Sequence, residues 1–142
     1  MILTANQRML VVAGAVLFLI GLLQGAVVQS FANPRMALSA HLTAVQSGMA
    51  MMIVGALLSA ARLSERPAGI ARWTIIAGMY LLWFGLTASA ATGASESLPI
   101  AGAGYNADAM MEWLVSATIM LGSVLMIVGW TIFVVGLVRR GR

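Results

Sequence analysis

The sequence has no cysteine, no lysine, one histidine, three prolines and only four acidic residues among 142. Without cysteine there is no disulfide, no thiolate metal site and no cysteine nucleophile. A lone imidazole excludes a zinc site built from several histidines of one chain. Charged residues make up 8% of the sequence, against roughly 25% in a soluble domain. So little charge cannot cover a surface facing water, which excludes a soluble globular protein. What is abundant is apolar: 61% of residues are hydrophobic and mean hydropathy is +0.98. The composition is that of an all-α integral membrane protein, with membrane lipid as its surroundings.

The shortage of acids leaves a net charge of +4, carried by eight arginines. That excess does not point to nucleic acid, because the arginines stand at the ends of apolar segments rather than in one patch. Spanning hydrocarbon takes about 20 apolar residues, and the chain supplies spans of about 9–31, 34–61, 70–92 and 109–138. The first is too long for a signal-peptide core of roughly 7–15 residues and is read as retained. No soluble domain, low-complexity tail or internal repeat interrupts this plan, so residues 1–142 read as one membrane domain, a bundle of four transmembrane helices.

Asn33 suits a helix N-cap and Pro34 the first helical turn, which predicts a tight hairpin of the first two spans. The second connection carries Arg62, Glu65, Arg66 and Pro67. The third, Gly93–Asp108, is rich in glycine and alanine and suits a lid packed over helix ends. In a four-span topology Arg8, Arg62, Arg66, Arg72, Arg139, Arg140 and Arg142 share one side. Arg35, Glu96, Asp108 and Glu112 lie on the other. Arginine concentrates on cytoplasmic ends, so both termini are expected to be cytoplasmic, in a multi-pass protein of the bacterial inner membrane.

A polar group in hydrocarbon is costly, and each asks for a reason. Gln24 lies on the first span, His41, Thr43, Gln46 and Ser47 on the second, Tyr80 and Thr87 on the third, and Glu112 heads the fourth. Counted from Pro34, His41 lies ~10 Å along its helix, below the headgroups. Desolvation there favours neutral imidazole. His41, Val45, Gly48, Met52, Gly55 and Ser59 recur at steps of three and four and form one stripe. The stripe admits two readings. One is a small-residue seam between helices, with His41 donating to a neighbouring carbonyl. The other is an axial imidazole for a haem lying over Val45, Gly48 and Met52, with its second ring nitrogen held by a carbonyl or by a polar group such as Ser39 or Gln46. Gln24, Thr43, Gln46 and Thr87 suit interhelical hydrogen bonds. Trp73 suits an interfacial anchor, and Tyr80 and Trp83 are candidates to line an aromatic-substrate pocket. Asp108 and Glu112 favour the helix dipole, and the eleven methionines suit an adaptable apolar interior.

The stretch Asn33–Met49 (NPRMALSAHLTAVQSGM), the segment Trp73–Gly85 and the loop Gly93–Gly104 (GASESLPIAGAG) resemble the bacterial hydroxylaminobenzene mutase family. The likeness covers nearly the whole chain. It implies an isomerase that converts hydroxylaminobenzene to 2-aminophenol, moving a hydroxyl from nitrogen to the ortho carbon within one molecule. A more distant likeness, to styrene oxide isomerase, implies haem b held between subunits of a trimer by a histidine of the second span. By that pattern His41 is the iron ligand and Ser47-Gly48-Met49 stands where an asparagine-glycine-methionine run follows the histidine. Ser47 replaces the asparagine. Ser47 and Tyr80 join His41 as the catalytic candidates, with ferric haem as Lewis acid. The alternatives are an epoxide isomerase and a small four-span transporter. Proton-coupled pumps of the latter kind need a carboxylate deep in a helix, and the first three spans as delimited above contain none.

Overall fold

A computed structural model describes residues 3–139. Four long helices account for nearly all of it: α1 (Ala5–Gly25), α2 (Pro34–Leu57), α3 (Glu65–Thr92) and α4 (Ala109–Val138), with a 3₁₀ turn at Val28–Ser30. All four are long and apolar enough to cross a membrane, and no strand occurs among the described residues.

The helix starts follow from local chemistry. The Thr4 hydroxyl accepts from the Gln7 amide at 3.3 Å, while the Gln7 side chain accepts from the Thr4 N–H at 3.0 Å, closing a capping box. That box begins α1 earlier than residue 9, and the helix ends at Gly25 rather than running to 31. The hydropathy of Val27, Val28 and Phe31 had extended the span through what is a 3₁₀ turn. Asn33 and Pro34 do start α2. The Asn33 side-chain oxygen accepts from the Met36 amide at 3.1 Å. The helix stops at Leu57, before residue 61, where the Ala60 N–H folds back to the Leu57 carbonyl at 2.9 Å.

Helix α3 starts at Glu65, not at residue 70. The arginine- and proline-containing stretch looked like a loop, but proline costs nothing in a first turn, whose N–H groups lack helical partners, and Glu65 suits the dipole there. Gly93 closes α3 at φ +84°, its N–H donating to the Ser89 carbonyl at 2.8 Å. Asp108 caps α4 through the amides of Met110 and Met111 at 3.0 and 3.1 Å.

The helices pair as two hairpins, α1 with α2 and α3 with α4, joined mainly by α2 against α3. Each hairpin crosses at a pair of glycines. A Cβ on Gly14 would stand 2.6 Å from the Gly48 carbonyl, and one on Gly48 2.6 Å from the Phe18 nitrogen. A Cβ on Gly78 would stand 2.8 Å from the Gly122 carbonyl, and the reverse approach is 2.9 Å. Only glycine permits backbones this close, the small-residue packing that membrane helices use where lipid supplies no hydrophobic drive. Leu10, Leu17, Met51, Val54 and Ile75 fill the centre. Met36, Ala37, Ala40, Leu86 and Ala90 form a second cluster near the Arg35 end.

Helix alternation puts Arg8, Arg62, Arg66, Arg72 and Arg139 at one end of the bundle and Arg35, Glu96, Asp108 and Glu112 at the other. Arg140 and Arg142 lie outside the described residues. The 93–108 segment does pack over helix ends, and it is pinned there. Leu98 and Ala101 rest on the second cluster. The Asn33 amide donates to the Ala101 carbonyl at 3.1 Å, and Arg35 donates to the Ala103 carbonyl.

Candidate functional site

Helix α2 works on two sides. Towards α1, the Nδ1–H of His41 reaches the Gly21 carbonyl at 2.7 Å. A carbonyl can only accept, so this contact puts the proton on Nδ1 and leaves the Nε2 lone pair open. The ring lies against Gly25, where a Cβ would stand 2.7 Å from the imidazole Cε1. The residue is half-buried. Of the expected partners it is thus the carbonyl of a neighbouring helix, that of Gly21 on α1, and not Ser39 or Gln46. Ser39 instead donates to the Arg35 carbonyl at 3.2 Å.

The rest of the stripe lies in the α1 seam. Gly21 approaches Val45, Gly14 approaches Met52, and a Cβ on Gly55 would stand 2.8 Å from Val11. The backbone of α1 covers Gly48, whereas Val45 and Met52 remain half-buried beside it.

On the other side of α2, Ser47 lines a groove of about 390 Å³ with Thr43, Gln46, Met79, Met126 and Trp130, roofless because α2 and α4 stand apart. His41 does not line this groove. Tyr80 is separate again: its phenol donates to the Ala13 carbonyl of α1 at 2.9 Å. The α1 carbonyls that hold Tyr80 and His41 are eight residues apart, about 12 Å along the axis. Within one chain the structure therefore does not bring His41, Ser47 and Tyr80 into one cavity.

A polar chain joins α1 to α3. Trp83 donates its indole N–H to the Gln24 side chain at 2.9 Å, and Gln24 donates to the Thr87 hydroxyl at 3.1 Å. Trp83 meets Tyr80 edge-on, with ring centroids 6.4 Å apart. Gln24, Trp83 and Thr87 border an apolar cleft of about 580 Å³ between α1 and α3, with Leu23, Val27 and Phe31. Gln24 and Thr87 are thus interhelical partners, and Trp83 does line an apolar pocket. Trp73 is exposed under the Arg72 guanidinium, 5.1 Å from its ring.

Glu112 does more than favour the dipole of α4. Its carboxylate accepts from the amides of Ser95, Glu96 and Ala107 at 2.8–3.1 Å. Residues that the sequence did not single out include Gly21 and Gly25, the seat of His41, and Met126 and Trp130, the far wall of the groove. The four-residue step between those two glycines is a small-residue signal that could have been read.

The styrene oxide isomerase family profile matches residues 6–138. Hydroxylaminobenzene mutase HabA of Ectopseudomonas oleovorans is 33% identical over 111 residues, 78% of this chain and 82% of the relative. Hydroxylaminobenzene mutase HabB of the same organism is 32% identical over 122 residues, 85% of this chain and 74% of the relative. No solved structure matches significantly.

Proposed function

Because the chain belongs to the styrene oxide isomerase family and is a membrane isomerase, we propose that it converts hydroxylaminobenzene to 2-aminophenol inside the bilayer. The substrate comes from the likeness to two mutases over most of each chain. The reaction is an isomerisation: the N–O bond breaks, a C–O bond forms at the ortho carbon, and that carbon's proton is made good on nitrogen. Nothing is oxidised or reduced overall. Such small neutral aromatics partition into lipid, which suits a site reached from the membrane.

The observation that carries the reading from fold to chemistry is the setting of His41. An imidazole with Nδ1–H on a backbone carbonyl and Nε2 without a protein partner is the usual arrangement of a metal-bound histidine. Haem b is the group this suits, since a porphyrin brings its own four nitrogens and His41 would need to supply only one more ligand. Among the described residues no cluster of three or more His, Cys, Asp or Glu stands ready for a bare ion. His41 would hold the haem through Nε2, with Val45 and Met52 as apolar contacts, while Gly48 keeps the α1 seam. When bound, ferric haem supplies a Lewis acid for the hydroxylamine oxygen.

The chain's own residues supply the rest. The Gly21 carbonyl fixes the tautomer and direction of the imidazole. Ser47 stands in the groove on the other side of α2, so its hydroxyl would contact substrate there and not beside the Nε2 of its own chain. Apolar walls would keep bulk water from the ring while the N–O bond is broken, which favours return of the same oxygen to the ring. Tyr80 would need to release the Ala13 carbonyl to touch substrate, so its first part is to hold α3 on α1. A homo-oligomer, a trimer by the resemblance, would cover the exposed edge of His41.

Incubating the purified full chain with hydroxylaminobenzene in oxygen-18 water tests this reading. The expected result is 2-aminophenol without label and without added nucleotide. Full solvent labelling would overturn internal transfer. The likeness to the two mutases favours this reading over an epoxide isomerase; turnover of styrene oxide with inertness to hydroxylaminobenzene would reverse that order. A proton-driven transporter is not favoured, since the carboxylates of α3 and α4 lie in the first turns, at Glu65 and Glu112.

A further inference from the structure

Most polar side chains deep in the helices are paired: His41 with Gly21, Tyr80 with Ala13, and Trp83 with Gln24 and onward to Thr87. Thr74, Thr118 and Ser123 fold back on their own helices. Against that background one groove stands out. Thr43, Gln46 and Ser47 follow each other on one face of α2 and line that groove together with Trp130 of α4. Among the described residues, none of these four side chains makes a hydrogen bond within the protein.

Hydrocarbon cannot satisfy such groups, and each left alone there costs free energy. The buried unpartnered atom among the described residues is Nε of Arg72, so the polar atoms of Thr43, Ser47 and Trp130 are not sealed inside the protein, and Gln46 is exposed. All four residues line the groove. Its other walls are Met79 and Leu82 of α3 and Met126 of α4. No ionisable side chain lines it. A volume of about 390 Å³ is at the small end of ligand pockets, roughly 300–1,000 Å³. Two hydroxyls, an amide and an indole N–H facing thioether and aliphatic walls suit one flat ring bearing a neutral N–H or O–H group.

We propose that the groove between α2, α3 and α4 is a binding site for a small neutral aromatic amine, hydroxylamine or aminophenol. Thr43 and Gln46 are its specificity-determining residues. The ring lies against Met79, Met126 and Trp130, and the nitrogen or oxygen substituent bonds to Thr43, Gln46 and Ser47. The groove opens sideways between α2 and α4, so ligand passes to and from lipid without crossing the bundle end. The choice of an aromatic nitrogen compound rests on the reaction proposed above; the polar character of the site rests on the groove itself.

The test reads binding without turnover. Full-length protein in nanodiscs is titrated with 2-aminophenol, aniline and toluene, following tryptophan fluorescence. Saturable quenching is expected for the first two and is lost in Trp130→Phe. The double variant Thr43→Val/Gln46→Leu keeps shape but removes the hydrogen bonds, each worth about 1 kcal/mol. It is expected to bind 2-aminophenol and aniline about thirtyfold more weakly and toluene as before. In turnover, KM rises more than kcat falls. Absence of saturable binding, binding that survives the double substitution, or equal weakening of toluene overturns the proposal. Cross-linking of Gln46→Cys chains into a dimer also overturns it, because a second copy would then fill the groove. A protein inert to hydroxylaminobenzene that still binds aniline through Thr43 and Gln46 rejects the reaction and keeps the site. A protein that turns over hydroxylaminobenzene independently of these residues rejects the site alone.

Discussion

At the scale of single residues, the weight falls on a contact only 2.7 Å long, between His41 and the Gly21 carbonyl. Replacing His41 by alanine removes the Nε2 donor but leaves the Gly14–Gly48 crossing intact. His41→Ala is expected to lose Soret absorbance and activity together, the latter by at least a hundredfold. Helical circular dichroism and membrane insertion should remain. A variant that keeps activity would return His41 to a packing role. The sequence made His41 visible because it is the lone imidazole. Its partner was not visible, because any residue has a carbonyl and only the crossing of α1 over α2 selects that of Gly21. Ser47 and Tyr80 were readable as polar residues in lipid, but which cavity each lines depends on helix rotation. Periodicity within one helix does not supply that.

At the scale of elements, spans and capping residues were legible, while helix ends were displaced wherever hydropathy and helix geometry part company. Val27 to Phe31 is apolar without being α-helical, and Glu65 to Gly69 is polar or helix-breaking in composition yet helical. The 93–108 segment was readable as a cover over helix ends, but the lock on it was not. Glu112 gathers three backbone amides from both ends of that segment. Charge-assisted bonds of this kind are stronger than neutral ones. Glu112→Gln removes the charge and turns one acceptor into a donor facing amide N–H groups. Limited chymotrypsin digestion is expected to nick the variant after Leu98 or Tyr105 several-fold faster than the parent, with the four helices unchanged. Equal rates would mean that Asn33 and Arg35 hold the segment alone.

For the whole molecule, the arginine-rich end comprises Arg8, Arg62, Arg66, Arg72 and Arg139, and the acid-rich end Glu96, Asp108 and Glu112. Positive charge is retained on the cytoplasmic face, so that end is expected inside. Reporter fusions at Ser97 and at the C-terminus should give opposite sides, phosphatase-active at Ser97 and fluorescent in the cytoplasm at the C-terminus. Same-side signals would reject the topology.

The glycine crossings have a consequence for how the chain can be made. Each lies inside a hairpin, whereas the hairpins meet through the packing of α2 on α3 and through side-chain hydrogen bonds between α1 and α3: Tyr80 to Ala13, Trp83 to Gln24 and Gln24 to Thr87. Two backbone bonds add to these, from the Asn33 N–H to the Ala90 carbonyl at 2.9 Å and from the Arg62 N–H to the Gly136 carbonyl at 3.1 Å. Each hairpin thus carries its tightest contact within itself and can insert as a closed unit before meeting the other. Severed after Leu63 and co-expressed, residues 1–63 and 64–142 are expected to reassemble and co-purify. Tyr80→Phe together with Gln24→Leu should weaken that rejoining while each half still inserts. The gene would tolerate being cut in two at this connection, as a pair of separately translated halves.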